Sequence, residues 1–284
     1  MDILMSAAAA DVMGKPAWVW LVFVSIVVAL LSFDLGVLHK DDREIGVRES
    51  LLLSSGYIAV ALLFGAWVWW YLGAQSGMDY YTGFMIEKSL SMDNVFVIAL
   101  IFSFFAIPAK YQHRVLFWGI FGALVMRAAF IVAGAALLDR FAWTEYVFGA
   151  ILLYTAVKVF RDDEDDVDPE ANPVLRLVRR VLPVSDHYDG QKLFTRVDAR
   201  RMATPLFVVL VAIEVTDLLF AVDSVPAILS ISADRFVLFS SNAMAILGLR
   251  SLYFLLEAVR ERLVHLSKGL GVILFYVGAK MLLS

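Results

Sequence analysis

The chain has 284 residues, 61% of them apolar, with a mean hydropathy of +0.78 and a net charge of −4. Soluble domains hold about 45–50% apolar residues, and the apolar residues here form runs of about 20, the length that crosses a bilayer as helix. Such runs are too continuous for barrel strands, so an all-α polytopic membrane protein is predicted. The chain contains no cysteine, which excludes disulfides, thiolate metal sites and cysteine catalysis.

Eight membrane spans are predicted, and together they form a single transmembrane domain over residues 1–284. The segments after the odd-numbered spans hold fifteen Lys and Arg residues, whereas the opposite segments hold three. Because cytoplasmic loops carry the excess of basic residues, this count predicts that both termini lie outside the cytoplasm. The predicted spans are 17–38, 47–72, 79–106, 114–138, 141–160, 204–230, 235–258 and 264–283.

The long polar segment 161–203 is predicted to be a cytoplasmic loop. Its acidic run at 162–166, followed by two prolines, is typical of a solvated flexible linker, with a regulatory cation-binding tail as the alternative. Within 174–184, apolar residues recur at helical spacing beside three arginines. This pattern favours a short interfacial helix on anionic membrane lipids, and a packing helix in solution is the alternative.

Spans three to five (79–160) and spans six to eight (204–283) share a sequence pattern. In each set, an acid is followed six residues later by Asp, then by a small polar residue and Val. A repeat of three spans inserts its second copy upside down, and inverted repeats of secondary transporters place the substrate site near the bilayer midplane. The matching positions are Glu87, Asp93 and Asn94 with Asp217, Asp223 and Ser224, then Arg127 with Arg250, and Lys158 with Lys280.

Six acids are predicted at membrane depth: Asp34, Glu87, Asp93, Glu214, Asp217 and Asp223. Each costs about 2.5–3.5 kcal/mol at the centre of a spanning helix. Three cations in the same spans are predicted to compensate charge or to gate, namely Lys88, Arg127 and Arg250. About three negative charges then remain, which a divalent cation, protons or both would balance. The alternative is a set of structural ion pairs, such as Arg127 with Asp93 or Arg250 with Asp223.

The ligand atoms restrict the ion. Carboxylates with the Asn94 and Ser224 oxygens suit manganese, calcium or magnesium rather than zinc or copper. At 100° per residue the two acids of a span do not share a helical face, so their convergence on one ion predicts local unwinding. Pro226 predicts a kink in span six and a freed carbonyl at Val222.

The spans contain no nucleophile–histidine pair and no histidine-rich cluster, which predicts a protein that is not an enzyme and has no organic cofactor.

At these residues the sequence resembles the TerC family of bacterial membrane proteins. The resemblance rests on the segments 87–94 and 214–226, on residues 32–36 and on the two arginines. It implies an inner-membrane protein that exports Mn2+ from the cytoplasm by proton exchange. It also implies metal-handling roles for Glu87, Asp93, Asn94, Glu214, Asp217, Asp223 and Ser224, with Asp34 as a companion acid.

Two other functions remain open. The first is a Ca2+ or Mg2+ transporter of the same fold, which carboxylate chemistry alone does not distinguish from a manganese transporter. The second is a membrane scaffold whose partners are the secretion machinery or exported metalloenzymes, as in family members linked to metal loading, or a protein associated with tellurite resistance. The sequence offers no support for nucleic-acid binding. The residues indicate a hard divalent cation; the resemblance alone implies manganese and the outward direction.

Overall fold

A computed structural model describes residues 11–38, 47–141, 143–161, 183–185, 188–197, 200–259 and, beyond these, 272, 275–276, 279 and 282–283. Helices make up most of this part of the chain, as predicted. Two short antiparallel hairpins accompany them, formed by β1 (Asp11–Val12) with β2 (Lys15–Pro16) and by β3 (Phe194–Val197) with β4 (Arg200–Ala203). The helices are α1 (Ala17–Leu38), α2 (Val47–Leu72), α3 (Ala74–Phe104), α4 (Ala109–Arg140), α5 (Thr144–Arg161), α6 (Pro205–Leu229), α7 (Arg235–Ile246) and α8 (Leu249–Val259).

Five helical segments in the described part are long and apolar enough to cross a membrane: Ala17–Asp34, Arg48–Leu72, Lys110–Arg140, Pro205–Leu229 and Arg235–Leu255. They confirm an all-α membrane protein. Helix α3 is as long as these, but charged residues such as Glu87 and Lys88 interrupt its apolar character. Most of the predicted span 264–283 lies outside the described residues. The total of eight spans and the inverted repeat therefore stay predictions.

The hairpin β3–β4 lies within the segment predicted to be a flexible loop. Its four residue pairs join Phe194–Val197 to Arg200–Ala203. Val184, assigned to the predicted interfacial helix, instead forms a β-bridge to Ala203. The acidic run and the rest of that helix (174–182) lie outside the described residues. The end of the loop is therefore an ordered structure attached to the start of α6, where the Thr204 N–H donates to the Leu193 carbonyl at 3.0 Å.

Four buried apolar clusters hold the described part of the bundle together, and two of them are large. One joins α3, α4, α6 and α8 through buried side chains such as Phe102, Leu116 and Ile213. The other joins α1, α2, α3 and α7 and is rich in aromatic rings, including Phe64 and Phe236. Helix α3 contributes to both of these clusters, so its charged residues lie between the two groups of helices that the clusters join. Lipid is as apolar as a leucine side chain, so close packing rather than the hydrophobic effect holds such helices together.

The predicted span 235–258 coincides with the membrane-length segment Arg235–Leu255, but its helix is interrupted. Helix α7 ends at Ile246, and α8 begins at Leu249. Gly248 between them has φ +80°, and a Cβ there would lie 2.7 Å from the Tyr57 ring. Glycine alone adopts this conformation at little cost and leaves room for the ring. The break therefore depends on the missing side chain at position 248.

The predicted unwinding of spans three and six is wrong. Helix α3 continues past Asp93 to Phe104, and α6 continues past Pro226 to Leu229. Pro226 lacks the N–H that would bond to the Val222 carbonyl, but it lies in the last turn of α6. Little helix follows that the lost hydrogen bond would disrupt. No proline occurs in α3, so nothing in that helix interrupts its backbone bonds.

We expect Gly248→Ala to destabilise the protein by about 1–3 kcal/mol, because the new methyl group meets the Tyr57 ring and the backbone is strained at positive φ. Thermal unfolding in detergent measures this change. The control is Gly56→Ala in α2, where nothing lies within 4 Å of the added Cβ. The control should keep or slightly raise the melting temperature, since alanine is the better helix former. Equal melting temperatures for the two variants would contradict a glycine-dependent break.

Candidate ion-binding site

Arg127 of α4 lies at the centre of a buried polar cluster. Its side chain is 1% exposed, and Nη1 forms a close ion pair with Glu87 Oε1 of α3. Nη2 donates to Asp217 Oδ1 of α6 at 3.0 Å, and Nη1 also donates to Ser224 Oγ at 3.1 Å. A guanidinium presents several donors in a fixed plane, so it can bind two carboxylates at once. This one joins acids from both halves of the predicted repeat.

Asn94 completes this group. With its amide oxygen turned to Arg127, it accepts from Nη2 at 3.0 Å, and its nitrogen donates to the Leu90 carbonyl at 3.1 Å. Both polar atoms of the amide are then satisfied, as burial requires. We call Glu87, Asn94, Arg127, Asp217 and Ser224 the central cluster. It brings together four of the eight predicted metal-handling residues around one predicted counter-charge. The side chain of Asp93 lies outside the described part of the chain.

Glu214 lies beside the central cluster, one turn before Asp217 on α6, and its half-buried carboxylate contacts the backbone of α4 at Gly122. A Cβ on residue 122 would overlap both oxygens of this carboxylate. Within the part of the chain that the structure describes, Glu214 forms no hydrogen bond or ion pair, and Asp217 repels it electrostatically. Glu87, Asp217 and Glu214 thus supply three carboxylates in this region, of which Arg127 pairs with the first two. When all are ionised, two negative charges remain uncompensated.

A cavity of about 20 Å³ lies beside Asp217, enclosed by α3, α4, α6 and α8. Its polar lining comes from Asn94, Thr216 and Asp217, while the remaining lining residues are apolar or glycine. This volume holds roughly one water molecule. The acids do not converge on one point in this structure: among the described residues, no three Asp, Glu or His side chains lie close enough together to hold a metal ion.

A second buried cluster joins α1, α2 and α8. Arg250 Nη2 lies 2.7 Å from Asp34 Oδ1 and donates to the Asp34 backbone carbonyl at 3.1 Å. The Tyr57 hydroxyl donates to the same Asp34 oxygen at 3.1 Å. We call Asp34, Tyr57 and Arg250 the lateral cluster. Arg250 therefore pairs with Asp34 and not with Asp223, the partner given in the alternative set of structural ion pairs.

Asp223 lies on another side of α6 and accepts a hydrogen bond from Thr155 Oγ1 of α5 at 2.8 Å. Since α6 stays helical, the six-residue spacing places Asp217 and Asp223 about 120° apart around the helix axis, as the spacing predicts. Lys88 also points away from the central cluster. Its Nζ donates to the Ala245 carbonyl of α7 at 3.1 Å.

Three contributors were missed at the sequence level. Tyr57 lies in span two, outside the repeat, and a lone hydroxyl in an apolar span does not identify its partner. Gly122 is one of several glycines in the spans, and its role depends on which helix faces it. Thr155 directly follows Tyr154 in the repeated motif of span five, so its position next to that motif was the one available signal.

Residues 72–284 match the family described as integral membrane protein TerC family. The chain belongs to the TerC family. A relative in Myxococcus xanthus, the uncharacterized membrane protein STKORF319, is 46% identical over 94% of this chain and 84% of its own length. A relative in Salmonella typhi, named membrane-bound redox modulator Alx, is 40% identical over 96% of this chain and 87% of its own length. An uncharacterized membrane protein of Rickettsia bellii is 42% identical over 92% of this chain and 87% of its own. No solved structure matches the chain.

Replacing Arg127 with Met should destabilise the protein by about 3–5 kcal/mol, because Glu87 and Asp217 then stay buried without their cation. The matched control is Arg235→Met, whose partner Asp139 is largely exposed. Exposed ion pairs contribute at most about 1 kcal/mol. Unfolding in detergent compares the two variants. Adding Glu87→Gln and Asp217→Asn to Arg127→Met should recover part of the loss, and equal losses for the two arginine variants would contradict the central role of Arg127.

Gly122→Ala should destabilise the protein by about 1–3 kcal/mol, since the methyl group overlaps the Glu214 carboxylate. Adding Glu214→Ala removes that overlap, so the double variant should be more stable than Gly122→Ala alone. The control is Gly119→Ala, one turn earlier, where the new Cβ would lie 3.2 Å from an Ile213 methyl group. Glu214→Ala should not rescue that control. Additive effects of Gly122→Ala and Glu214→Ala would show that the two positions do not touch.

Proposed function

We propose that this protein is a divalent-cation transporter of the bacterial inner membrane that exports Mn2+ from the cytoplasm in exchange for protons. The observation that carries the proposal is the charge excess around Arg127. Three carboxylates, those of Glu87, Glu214 and Asp217, lie in this region at predicted membrane depth, and the Arg127 guanidinium pairs with two of them, Glu87 and Asp217. Unpaired charges there are expensive, and residues that bear them are usually functional. A divalent cation would balance this excess.

The chemistry of the ligand atoms supports a hard cation. The central cluster offers carboxylate, amide and hydroxyl oxygens, and among its residues there is no imidazole or sulfur ligand. Oxygen ligands favour manganese, calcium and magnesium over zinc and copper. The small cavity beside Asp217 and Asn94 offers room for one ion without its hydration shell. The choice of manganese and the outward direction rest on the TerC resemblance.

Arg127 acts as the internal counter-ion in the proposed cycle. Without a bound ion, its guanidinium pairs with Glu87 and Asp217, so neither carboxylate stays buried and uncompensated. An arriving cation would take over these oxygens and displace the guanidinium from one or both. Because α3 and α6 belong to opposite halves of the predicted repeat, relative motion of the halves would change the site that both acids share. Protons would replace the ion on the acids during the return step.

Asp93 and Asp223 are proposed to complete the ion's path. Each follows the first acid of its motif by six residues. Asp223 is held by Thr155 of α5, so an ion that moved from Asp217 to Asp223 would pass from one side of α6 to the other. Such a handover between acids keeps the ion on oxygen ligands throughout. Asp34 would act indirectly, since its carboxylate holds Arg250 in the lateral cluster.

The name of the Alx relatives suggests a second candidate, an effect on cellular redox balance. This chain contains no cysteine, so thiol–disulfide exchange within it is excluded. A redox effect would then follow from a change in cellular manganese, a redox-active metal, and would need no chemistry of its own. Manganese transport is therefore the function to test first.

The test measures manganese in a manganese-sensitive strain with and without the protein. We expect the wild type to lower cellular manganese, and Asp93→Asn, Asp217→Asn and Asp223→Asn each to lose most of this effect, because a neutral amide is a poorer cation ligand. The matched control is Asp139→Asn, an exposed acid at the end of α4, which should act like the wild type. If the three Asn variants still lowered manganese normally, the assignment of these acids would fail.

Flux in proteoliposomes identifies the ion. We expect manganese uptake into vesicles that hold the protein in the inverted orientation, accompanied by proton movement in the opposite direction. Calcium and magnesium are added as competitors. Inhibition of manganese flux by a tenfold excess of calcium or magnesium would favour those ions, whereas protein that neither binds nor moves any divalent cation would support the scaffold function.

A further inference from the structure

Lys88 is a cation inside the bundle that lacks a carboxylate partner among the described residues. Its side chain is half-buried on α3, and its one hydrogen bond runs from Nζ to the Ala245 carbonyl of α7, at 3.1 Å. A lysine at the centre of a span costs about 2.5–3.5 kcal/mol, and such a residue usually pairs with an acid. The central cluster does not use Lys88, although Glu87 is its neighbour in the chain. Some other feature must therefore stabilise the ammonium.

The open end of α7 provides that stabilisation. Ala245 is one residue from the end of the helix, and the chain leaves helical geometry at Leu247 and Gly248. The last four carbonyls of a helix have no intrahelical partner, and the C-terminal end carries about half a negative charge. A helix end inside a span cannot rely on water for these carbonyls. The broken span seven thus creates a position for a cation, and the Lys88 ammonium fills it.

Glu87, the residue before Lys88 on α3, offers a second position for the same ammonium. Glu87 Oε1 is paired with Arg127, but Glu87 Oε2 is buried without a hydrogen-bond partner. Lys88 is adjacent to Glu87 and already acts on its carboxylate electrostatically. The lysine side chain is long and flexible, with a mobile point charge at its tip. Rotation of that side chain would exchange the α7 carbonyl for an acid of the central cluster.

We propose that Lys88 is a tethered cation that alternates between the carbonyl end of α7 and Glu87, and so competes with the divalent ion for the central cluster. Resting on α7, it leaves the acids open to the ion; moving to Glu87, it supplies positive charge that helps to expel the ion. A site with two uncompensated negative charges would otherwise hold a divalent ion too firmly, and transport requires release as well as binding. This inference rests on the proposed function.

The experiment measures Mn2+ binding to the purified full-length protein in detergent, by isothermal titration calorimetry. Lys88→Met removes the charge and keeps the apolar stem, Lys88→Gln keeps a donor for the Ala245 carbonyl, and Lys88→Arg keeps the charge. We expect Met and Gln to tighten Mn2+ binding by about tenfold or more, because the competing charge is gone. The Lys88→Arg variant should bind Mn2+ with an affinity within about threefold of the wild type, because it keeps the charge. The control is Lys192→Met, an exposed lysine paired with Asp189, which should change nothing.

A release measurement completes the test: Mn2+ efflux from preloaded proteoliposomes should slow in the Met and Gln variants and stay near normal in the Arg variant. If the wild type binds Mn2+ and the Met and Gln variants bind it equally well, the tethered-cation role is overturned while the transport proposal stands. If binding weakens in all three Lys88 variants, Lys88 supports the fold and does not compete with the ion. If even the wild type binds no divalent cation, the proposed function fails and this inference fails with it.

Discussion

The ion pairs of the Arg127 guanidinium with Glu87 and Asp217 are the interactions on which the centre of this molecule depends. Within lipid, helices gain nothing from hiding apolar side chains from one another, so polar contacts and close packing decide which faces meet. Arg127 binds acids on α3 and α6 from its position on α4 and so forms a buried connection between the two halves of the predicted repeat, whereas the Arg235–Asp139 pair that also connects them lies largely exposed. The same contact pairs two acids with a cation and keeps them away from lipid. Packing and charge balance therefore rest on one side chain.

Much of the architecture could be predicted because bilayer thickness constrains it. Runs of about 20 apolar residues must be helical, so the ends of α1, α2 and α6 agree closely with the sequence. The functional importance of the buried acids could be predicted for a similar physical reason, because a charged side chain within a span has a high free-energy cost and is usually functional. This cost is enough to identify Arg127, Glu87 and Asp217 from the sequence, without any distance between them.

Partners and local geometry were not predictable to the same extent. Arg250 was matched to Asp223 through the repeat, whereas it binds Asp34 in a span outside the repeat. Proline was expected to disturb a span, yet Pro226 lies near a helix end and the break occurs at Gly248. Helical periodicity places a residue on a face, but it does not say which helix meets that face. The hairpin β3–β4 escaped notice because a charged, proline-containing segment was interpreted as one linker.

The lateral cluster makes the two halves unequal, and this inequality has a consequence for the central cluster. Arg127 and Arg250 occupy matching positions in the predicted repeat, but Arg250 is bound to Asp34 of α1. A symmetric arrangement would place two guanidinium groups among the acids and cancel most of their charge. Because Arg250 is held by Asp34, the central acids keep a net negative charge, which the proposed binding of a cation requires.

The contact between Gly248 and the Tyr57 ring links two positions that are far apart in the chain. A larger residue at 248 fits only if the ring at 57 is lost, and a smaller residue at 57 would leave a void beside the glycine. The tyrosine is also the hydroxyl donor to Asp34. Among related sequences, the identities of residues 57 and 248 should therefore vary together, and a pair that departs from Tyr and Gly should also carry a changed residue at position 34.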